Sequence, residues 1–491
     1  MRGGDRDGSA GGEGEQPRGI NRAGLALTII AVLGVAYALL ARYALDRFPY
    51  SGDEYSLALQ GELFARGELR SPAPPHAEWL RVDHVVIDRW VRSKYPPGSP
   101  ALLAIGERYG AAWLVGPLEA VITLLVVWLT FRRVLGPRRA LVGLVALGIA
   151  PMFMFEAASF YSHTAANLWL SFAFAAIAAW TGRPRDRHLV LAGLAIGCAF
   201  LTRPIDAVLF GVAMLALRSP RAVVITAVSA LPLVAVSFWY QGAVFDSIFT
   251  DGYHAYEPTF RALYGADTAA NPMSFAHLFS AEQQYNHLDL FRSFIVEWTA
   301  TGAAIVALVG GYAIKRGDPV RALRTFAIAV IVVFSIALLW TICDVDDGPR
   351  PRYLSIALIP LALLTAVGFH PACRAVASWI GPRLAKLAVV IAVLFSLAQL
   401  ASFLRDRIPK IWVREGLYQV AAARGLGADA VVIVRAKYPS RYARNGPWFD
   451  RVLYLSAPPE TTVAEVAAAY PGRAIWEAHE GDPWTLVQVR P

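Results

Sequence analysis

Charged residues and cysteines are both scarce in this chain of 491 residues. Only 17% of the residues are charged and 56% are hydrophobic, whereas an ordinary soluble protein carries roughly 25% charged residues. A chain of this composition has too much apolar surface for one soluble core, so part of that surface must face lipid. The composition excludes an ordinary soluble globular protein and predicts a polytopic α-helical membrane protein.

The three cysteines lie in separate apolar or juxtamembrane segments, at Cys198, Cys343 and Cys373. They show neither a disulfide framework nor the close spacing of a zinc site. Internal repeats and nucleic-acid-binding modules are missing as well. We therefore attribute the formal net charge of +9 to loops that face anionic lipid headgroups.

Long apolar runs predict about eleven membrane crossings. The first run, 21–45, exceeds the ~20 residues that span the hydrocarbon core. It is too long for a signal peptide and no small-residue cleavage site closes it, so we expect a retained helix after a disordered cytoplasmic tail, 1–20. The predicted crossings are 22–45, 112–131, 140–155, 164–180, 189–201, 204–217, 223–240, 298–314, 325–341, 353–369 and 387–404.

The distribution of Lys and Arg predicts the orientation of these crossings. With the N-terminus in the cytoplasm, the inside loops carry the basic clusters, since cytoplasmic loops collect Lys and Arg. These clusters are at 132–139, 183–187, 218–221, 315–324 and 374–386. The long segments of mixed sign, 46–111 and 241–297, then lie outside. We expect a multi-pass protein of the cell membrane (plasma or inner membrane).

The residue pattern of the chain changes after a predicted transmembrane domain, 21–410. Segment 411–491 has short β-branched runs separated by Pro, Gly and helical periods, which predict a small extracytoplasmic α/β domain. The expected elements are helices at 415–424 and 462–470 and strands at 430–435, 452–456, 474–476 and 484–489.

An acidic pair, Asp53 and Glu54, lies eight residues beyond the first apolar run. It precedes a predicted short amphipathic helix, 55–67. A carboxylate held at a membrane surface can accept a proton from an acceptor while the other substrate stays in lipid. The alternative is an ordinary interfacial charge.

Other polar residues are predicted to reach the same outer face. Arg203 lies between two short apolar segments, where a guanidinium is costly unless it lines a cavity or meets an anion. Arg352 opens a crossing, and Lys94 lies in the first outer loop. Together these three cations predict a phosphate-binding site, since Arg matches phosphate oxygens bidentately. Snorkelling or anchoring at the headgroups is the alternative for each.

Four motifs in register carry a family resemblance: Gly52-Asp53-Glu54-Tyr55, the run from Lys94 to Pro100, Gly193 to Gly197 leading into Thr202-Arg203-Pro204, and Gly348 to Leu354. Over roughly 20–404 the chain resembles the GT-C membrane glycosyltransferases, in particular the protein O-mannosyltransferase and lipid A aminoarabinose transferase type. The resemblance implies inverting transfer of a sugar from a polyprenyl phosphate to a glycan, lipid or protein acceptor at the outer membrane surface.

The resemblance also implies roles for particular residues. Asp53, or its neighbour Glu54, is the expected general base, and Asp53 is favoured because its counterpart in the family faces the acceptor. Lys94, Arg203 and Arg352 would hold the donor phosphate. The candidate substrate contacts are Tyr55, Tyr95, His163 and Tyr353.

Three questions stay open at this level. The acids Asp344, Asp346 and Asp347 could bind a divalent cation or form a solvated turn, so metal dependence is undecided. A transporter or flippase of lipid-linked sugars is the main alternative function, although transporters usually show paired halves and midplane charges. A non-catalytic scaffold of the same fold is the other.

Overall fold

The computed structural model describes residues 21–264, 288–299, 306–307, 320–338, 350–448 and 450–490. Its α-helices are α1 (Arg22–Leu39), α2 (Gly52–Ala65), α3 (Gly98–Glu107), α4 (Val115–Leu135), α5 (Pro137–Gly148), α6 (Pro151–Ala158), α7 (Ser162–Gly182), α8 (Asp186–Thr202), α9 (Pro204–Ala213), α10 (Pro220–Phe245), α11 (Gly252–Tyr264), α12 (Arg321–Leu338), α13 (Leu358–Ile380), α14 (Pro382–Ala423) and α15 (Val463–Ala469). The strands are β1 (Ser71–Pro72), β2 (Val85–Ile87), β3 (Trp90–Ser93), β4 (Ala430–Arg435), β5 (Leu453–Leu455), β6 (Ala474–His479) and β7 (Thr485–Arg490).

Six helical segments in the described part of the chain are long and apolar enough to cross a membrane. They are Arg22–Ala44, Ala112–Leu135, Ser162–Gly182, Pro220–Phe245, Arg352–Ile380 and Pro382–Ala423. The bent pair α5 and α6 makes a seventh if it is counted as one span. The protein is therefore a multi-pass helical membrane protein. The predicted crossing 298–314 lies largely outside the described residues, as does the end of 325–341.

The third predicted crossing, 140–155, is wrong as a single helix. Helix α5 ends at Gly148, α6 begins at Pro151, and their axes differ by 62°. Proline lacks an amide hydrogen and disfavours helical geometry in the residue before it, and Ala150 is extended, with φ −62° and ψ 123°. Glu156 lies inside α6 and is fully buried.

The predicted helices 387–404 and 415–424 form one continuous helix. Helix α14 has 42 residues, which at 1.5 Å per residue makes a rod of about 60 Å, twice the thickness of a hydrocarbon core. Its polar second half stays helical because it packs on other elements: the guanidinium of Arg414 stacks 4.0 Å from the Tyr50 ring, and Leu417 and Ala421 are buried. The predicted boundary at 410/411 therefore falls inside a helix.

The second half of α14 leads into a four-stranded sheet of order β5-β4-β6-β7. Strand β4 pairs in parallel with β5 and β6, and β7 runs antiparallel to β6. Residues 430–434 of the central strand are buried on both faces, which matches their continuous β-branched run. The strand predicted at 474–476 extends to His479 because it pairs with β4 over six residues.

A smaller sheet of order β1-β3-β2 folds the segment between α2 and α3. Strand β3 is tied to α2, since Ser93 donates its amide to Gln60 Oε1 at 2.9 Å. A Cβ at Gly98, the first residue of α3, would lie 2.8 Å from the carbonyl of Leu201. Only glycine allows this approach, which brings the segment after β3 against the end of α8. We call the end of the molecule with α2, α3 and this sheet the Asp53 end.

At the other end of the helices lie the turns α4–α5, α7–α8 and α13–α14. Basic residues dominate these turns and their flanks, and we call this region the basic end. Arg138, Arg183 and Arg374 are among its exposed side chains.

Candidate active site

The first turn of α2 carries Asp53 and Glu54 and is held by a capping box. Ser51 Oγ accepts the amide of Glu54 at 3.1 Å, while Glu54 Oε2 accepts the amide of Ser51 at 2.9 Å. A Cβ at Gly52 would lie 2.7 Å from the Cβ of Asp83, so this helix end packs closely on the neighbouring loop. The contact brings His84 beside Asp53.

Asp53 is surrounded by cationic and hydrogen-bonding groups. Its Oδ2 lies 3.1 Å from Arg352 Nη2, its Oδ1 accepts the hydroxyl of Tyr95, and His84 Nε2 is 3.7 Å away. Burial alone would raise the pKa of Asp53, but the neighbouring cations and the Tyr95 hydrogen bond outweigh it and hold the pKa well below its usual range. Asp53 is therefore ionised at neutral pH.

His84 contributes little of this positive charge at neutral pH. Burial, together with the nearby Lys94 ammonium, lowers the pKa of His84 to about 4, although Asp53 acts in the opposite direction. The imidazole is thus neutral near pH 7. The cations that act on Asp53 there are Arg352 and Lys94.

The ammonium group of Lys94 lies in a cage of three tyrosines. Its Nζ is 5.2, 4.8 and 4.9 Å from the ring centroids of Tyr95, Tyr253 and Tyr256. These distances are typical of cation–π contacts. Burial lowers the pKa of Lys94 to about 8, although the Asp53 charge opposes the shift. Helix α11, which carries two of the rings, begins directly on the Lys94 backbone: a Cβ at Gly252 would overlap the Lys94 carbonyl oxygen at 2.0 Å.

Arg203 lies at the break between α8 and α9, where its backbone is extended (φ −146°, ψ 90°) and Pro204 starts the next helix. Its Nε is 2.5 Å from Asp206 Oδ2, and its Nη1 donates to Ser162 Oγ at 3.3 Å. Burying the Arg203 guanidinium in an apolar environment without a partner would be energetically unfavourable, and the structure gives it a carboxylate partner. Arg203 also lines a cavity.

That cavity has a volume of about 310 Å³, and both Lys94 and Arg203 line it. Its acids are already engaged: Asp206 pairs with Arg203, and Asp251 Oδ1 lies 2.9 Å from His254 Nδ1. The remaining walls are mostly apolar and come from α8, α9, α10 and the segment after β3, among them Pro96, Phe200, Ile205, Phe238 and Phe245. Ile205 and Phe238 are 69% and 43% exposed on apolar helices, so this side of the cavity meets lipid.

Arg352 lies behind Asp53 rather than on the wall of that cavity. Its guanidinium is 5.3 Å from the ring centroids of both Tyr161 and Tyr353, and 3.1 Å from Asp53. Its second terminal nitrogen, Nη1, is buried and has no hydrogen-bond partner within the described part of the chain. One strong donor beside Asp53 is therefore available to a ligand.

A buried polar cluster lies next to these arginines. Ser355 donates its hydroxyl to Glu156 Oε2 and accepts the side-chain amide of Asn167 at 2.7 Å. His163 is only 2% exposed, its ring centroid is 6.2 Å from that of Tyr353, and neither of its nitrogens has a partner among the described residues. The cluster has unused hydrogen-bonding capacity directly behind the site.

The other predicted site residues face elsewhere. Both carboxylate oxygens of Glu54 accept backbone amides, from Ser51 at 2.9 Å and from Phe160 at 3.0 Å. Burial raises the pKa of Glu54 against these hydrogen bonds. Tyr55 donates its hydroxyl to the carbonyl of Asn445 at 2.6 Å and so faces the C-terminal sheet. Asp53, Lys94, Tyr95, Arg203, Arg352 and Tyr353 come together, with His163 behind them, whereas Tyr55 does not join them.

The sequence analysis missed two side chains of the site, Tyr253 and Tyr256. Their spacing of three residues places them on one face of α11, just after a predicted crossing, and this pattern was the available signal. No group of His, Cys, Asp and Glu side chains suited to a metal ion is found among the described residues. Asp344, Asp346 and Asp347 lie outside them.

The chain is similar to known proteins both in sequence and in fold. The model of glycosyltransferase family 87 matches residues 94–341. No curated protein matches the chain by sequence. Among solved structures, ArnT from Cupriavidus metallidurans bound to undecaprenyl phosphate is 16% identical, with a TM-score of 0.59 and 94% of each chain covered. Its apo state is 15% identical, with a TM-score of 0.58 and coverage of 94% of this chain and 93% of that one.

A more distant similarity is to the archaeal oligosaccharyltransferase AglB from Archaeoglobus fulgidus, in complex with an inhibitory peptide and a dolichol-phosphate. It is 12% identical, with a TM-score of 0.48, and the match covers 92% of this chain and 69% of that chain.

The ArnT structures show that the chain has the fold of ArnT. The match to the family model, together with this fold, confirms the GT-C resemblance stated from the sequence motifs, while the branch within the superfamily stays a prediction. The matched segment of the family model includes Lys94 and Arg203, whereas Asp53 and Arg352 lie outside it. Because this segment spans just over half of the sequence, the chain belongs to glycosyltransferase family 87.

Proposed function

We propose that the protein transfers a sugar from a polyprenyl phosphate to a glycan, lipid or protein acceptor at the outer face of the membrane, with inversion at the anomeric carbon. The observation that carries this proposal is an ionised carboxylate, Asp53, beside a cavity that Lys94 and Arg203 line and that meets lipid. The fold is shared with an ArnT structure that is bound to undecaprenyl phosphate.

The cavity suits the donor because it combines two kinds of wall. Arg203 offers a planar fork and Lys94 a point charge, and both match phosphate oxygens. Exposed apolar side chains such as Ile205 and Phe238 lie where the isoprenoid chain would leave the cavity for the bilayer. The Nη1 of Arg352, which has no hydrogen-bond partner among the described residues, is a further donor beside Asp53.

Asp53 is the proposed general base. The hydroxyl of the acceptor attacks the anomeric carbon from the side opposite the phosphate and gives its proton to Asp53. The bond between that carbon and the phosphate oxygen breaks, and the polyprenyl phosphate leaves with the electron pair. Such a base typically contributes 10²–10⁴-fold in rate. Glu54 supports it indirectly, since its carboxylate holds the helix end and the loop at Phe160.

The donor itself would activate this base. A carboxylate whose pKa is held far below its usual range is a weak proton acceptor, because basicity falls with pKa. A donor phosphate that binds Lys94 and Arg352 would neutralise the cations that depress the pKa of Asp53, so that this pKa rises. Asp53 would then become an effective base only when the donor is in place.

We further propose eleven crossings with a cytoplasmic tail, 1–20, a transmembrane domain, 21–410, and an extracytoplasmic segment, 411–491. The basic end would then face the cytoplasm, which agrees with its excess of Lys and Arg. A cysteine introduced as Glu460→Cys should react with an impermeant thiol reagent in intact cells. Its counterpart Arg185→Cys should react only after lysis, and the reverse pattern would contradict the orientation.

The chemistry is tested with purified protein, a polyprenyl phosphate donor labelled in its sugar, and an acceptor extract. Asp53→Asn should lower turnover by about 10²–10⁴-fold and leave donor binding within a few-fold of wild type. The matched control Asp450→Asn removes an exposed carboxylate of the C-terminal segment and should keep wild-type turnover. Full activity in Asp53→Asn would exclude the base. Donor movement across vesicles without product would favour the transporter alternative.

A further inference from the structure

The basic end contains a second cavity, far from Asp53. Its volume is about 940 Å³, and it lies between the α4–α5 turn and the α13–α14 turn. No acidic side chain of the described residues lines it, and none of its Lys or Arg side chains forms an ion pair with another described residue. These cations are Arg22, Arg138, Arg139, Arg374 and Lys386.

An apolar groove of about 440 Å³ continues from this cavity between α5, α13 and α14. The two share the side chains of Phe369, Cys373, Ala385 and Val389, so the groove opens into the basic cavity. Along α5 its wall runs from Leu141 to Ile149, about 12 Å at 1.5 Å per residue. The groove therefore leads from the charged turns into the apolar interior of the membrane.

The combination matches an anionic amphiphile. Cations that have no acidic partner among the described residues attract a phosphate, and an apolar groove accepts a hydrocarbon chain. Basic pockets between transmembrane helices bind anionic headgroups in this way. A soluble phosphate would leave the groove unused, and a zwitterionic lipid would leave the cations without a net countercharge.

We propose that this cavity and groove bind an anionic phospholipid from the leaflet at the basic end, with its phosphate among Arg138, Arg139 and Arg374 and one acyl chain in the groove. The site is separate from the cavity that Lys94 and Arg203 line, because α4, whose 21 residues span about 30 Å, lies between the two ends. The lipid bridges the α4–α5 and α13–α14 turns. Helix α5 leads into α6, which carries Glu156, and α13 begins just after Arg352. The lipid therefore stabilises helices that position the site.

Cys373 is a natural reporter for this proposal, because it is half-buried and lines both the cavity and the groove. The experiment measures its alkylation in the delipidated full-length protein by peptide mass spectrometry. Cys198, on α8, is half-buried away from the groove and serves as an internal reference. Phosphatidylglycerol should slow alkylation of Cys373 at least fivefold and leave that of Cys198 unchanged. Phosphatidylcholine with the same chains and soluble glycerol phosphate should have no effect.

Two matched variants complete the test. Arg138→Gln/Arg139→Gln/Arg374→Gln should need more than ten times as much phosphatidylglycerol for the same protection. Arg183→Gln/Arg185→Gln/Arg187→Gln removes equal charge from the same end outside the cavity and should behave as wild type. If the first triple variant does not fold, Arg374→Gln alone should still shift the protection about threefold.

Three results would overturn the proposal. Equal protection by phosphatidylcholine would mean a non-selective apolar groove, and equal protection by glycerol phosphate would mean a soluble-phosphate site. Equal loss of protection in both triple variants would mean that only the overall charge of this end matters.

Discussion

The two ends of the helical bundle use charge in opposite ways. At the Asp53 end, cations and anions are largely buried and contact one another, as in Arg352 with Asp53 and Arg203 with Asp206. At the basic end the charged side chains are mostly exposed and mostly cationic. Arg221 and Asp186 form an exposed pair there, with side chains 74% and 49% accessible. A buried charge needs a partner, whereas an exposed one is solvated. Only the Asp53 end can therefore hold charges in a fixed geometry for chemistry.

The two ends should differ most in how the loss of one arginine changes the free energy of unfolding and the turnover. Arg352→Ala should lower the free energy of unfolding by about 3 kcal/mol, since it leaves the Asp53 carboxylate without its buried partner. It should also lower turnover about 10²-fold, as expected when a group that stabilises developing charge is lost. Arg183→Ala, which removes an exposed side chain, should change neither. Denaturant titration measures the first effect and a sugar transfer assay measures the second. Equal losses in the two variants would contradict the expected difference between the two ends.

Glu54→Gln should affect stability more than chemistry. The amide can accept only one of the two backbone hydrogen bonds from Ser51 and Phe160 and presents a donor to the other, which costs about 1–3 kcal/mol. Turnover measured well below the melting temperature should fall less than tenfold. A large loss of turnover at unchanged thermal stability would instead place Glu54 in the reaction.

The pH dependence of the KM for the donor tests whether Lys94 binds the donor phosphate. Burial lowers the pKa of this lysine to about 8, so its ammonium is present below that pH and is lost as the pH rises through it. The KM for the donor should therefore rise above about pH 8, by up to about tenfold per pH unit. Lys94→Gln should show a high KM that no longer changes between pH 7 and 9. The same alkaline rise in Lys94→Gln would assign the titration to another group.

The smallest effect is expected from the exposed pair at the basic end. Asp186→Asn removes its contact with Arg221, and exposed pairs of this kind contribute about 0.2–1 kcal/mol. Thermal unfolding at low and high salt should differ little from wild type, and turnover should not change. A loss as large as that of Arg352→Ala would show that burial does not separate the two ends.

Local signals predicted much of the fold. The uninterrupted apolar runs matched the helices α1, α4, α7 and α10, and the β-branched run at 430–435 has the same bounds as β4. The site was predicted less completely. Lys94, Arg203 and Arg352 were predicted from their positions on the outer face and from motifs, but the partners of two of them come from distant segments: Tyr253 for Lys94 and Asp53 for Arg352. Tyr55, a candidate substrate contact from the first motif, lies elsewhere, because residues two apart on a helix face different directions.

What the sequence alone determined is the class of the protein and the position of its charges along the chain, because hydropathy and the periodicity of apolar residues are local properties. Tertiary packing decided the rest. It extended α14 well beyond the length of one membrane crossing, placed Asp53 beside a cavity, and bound the Glu54 carboxylate to backbone amides. These outcomes depend on contacts between residues 100 to 400 positions apart, such as Glu54 with Phe160 and Tyr55 with Asn445, which local patterns do not encode.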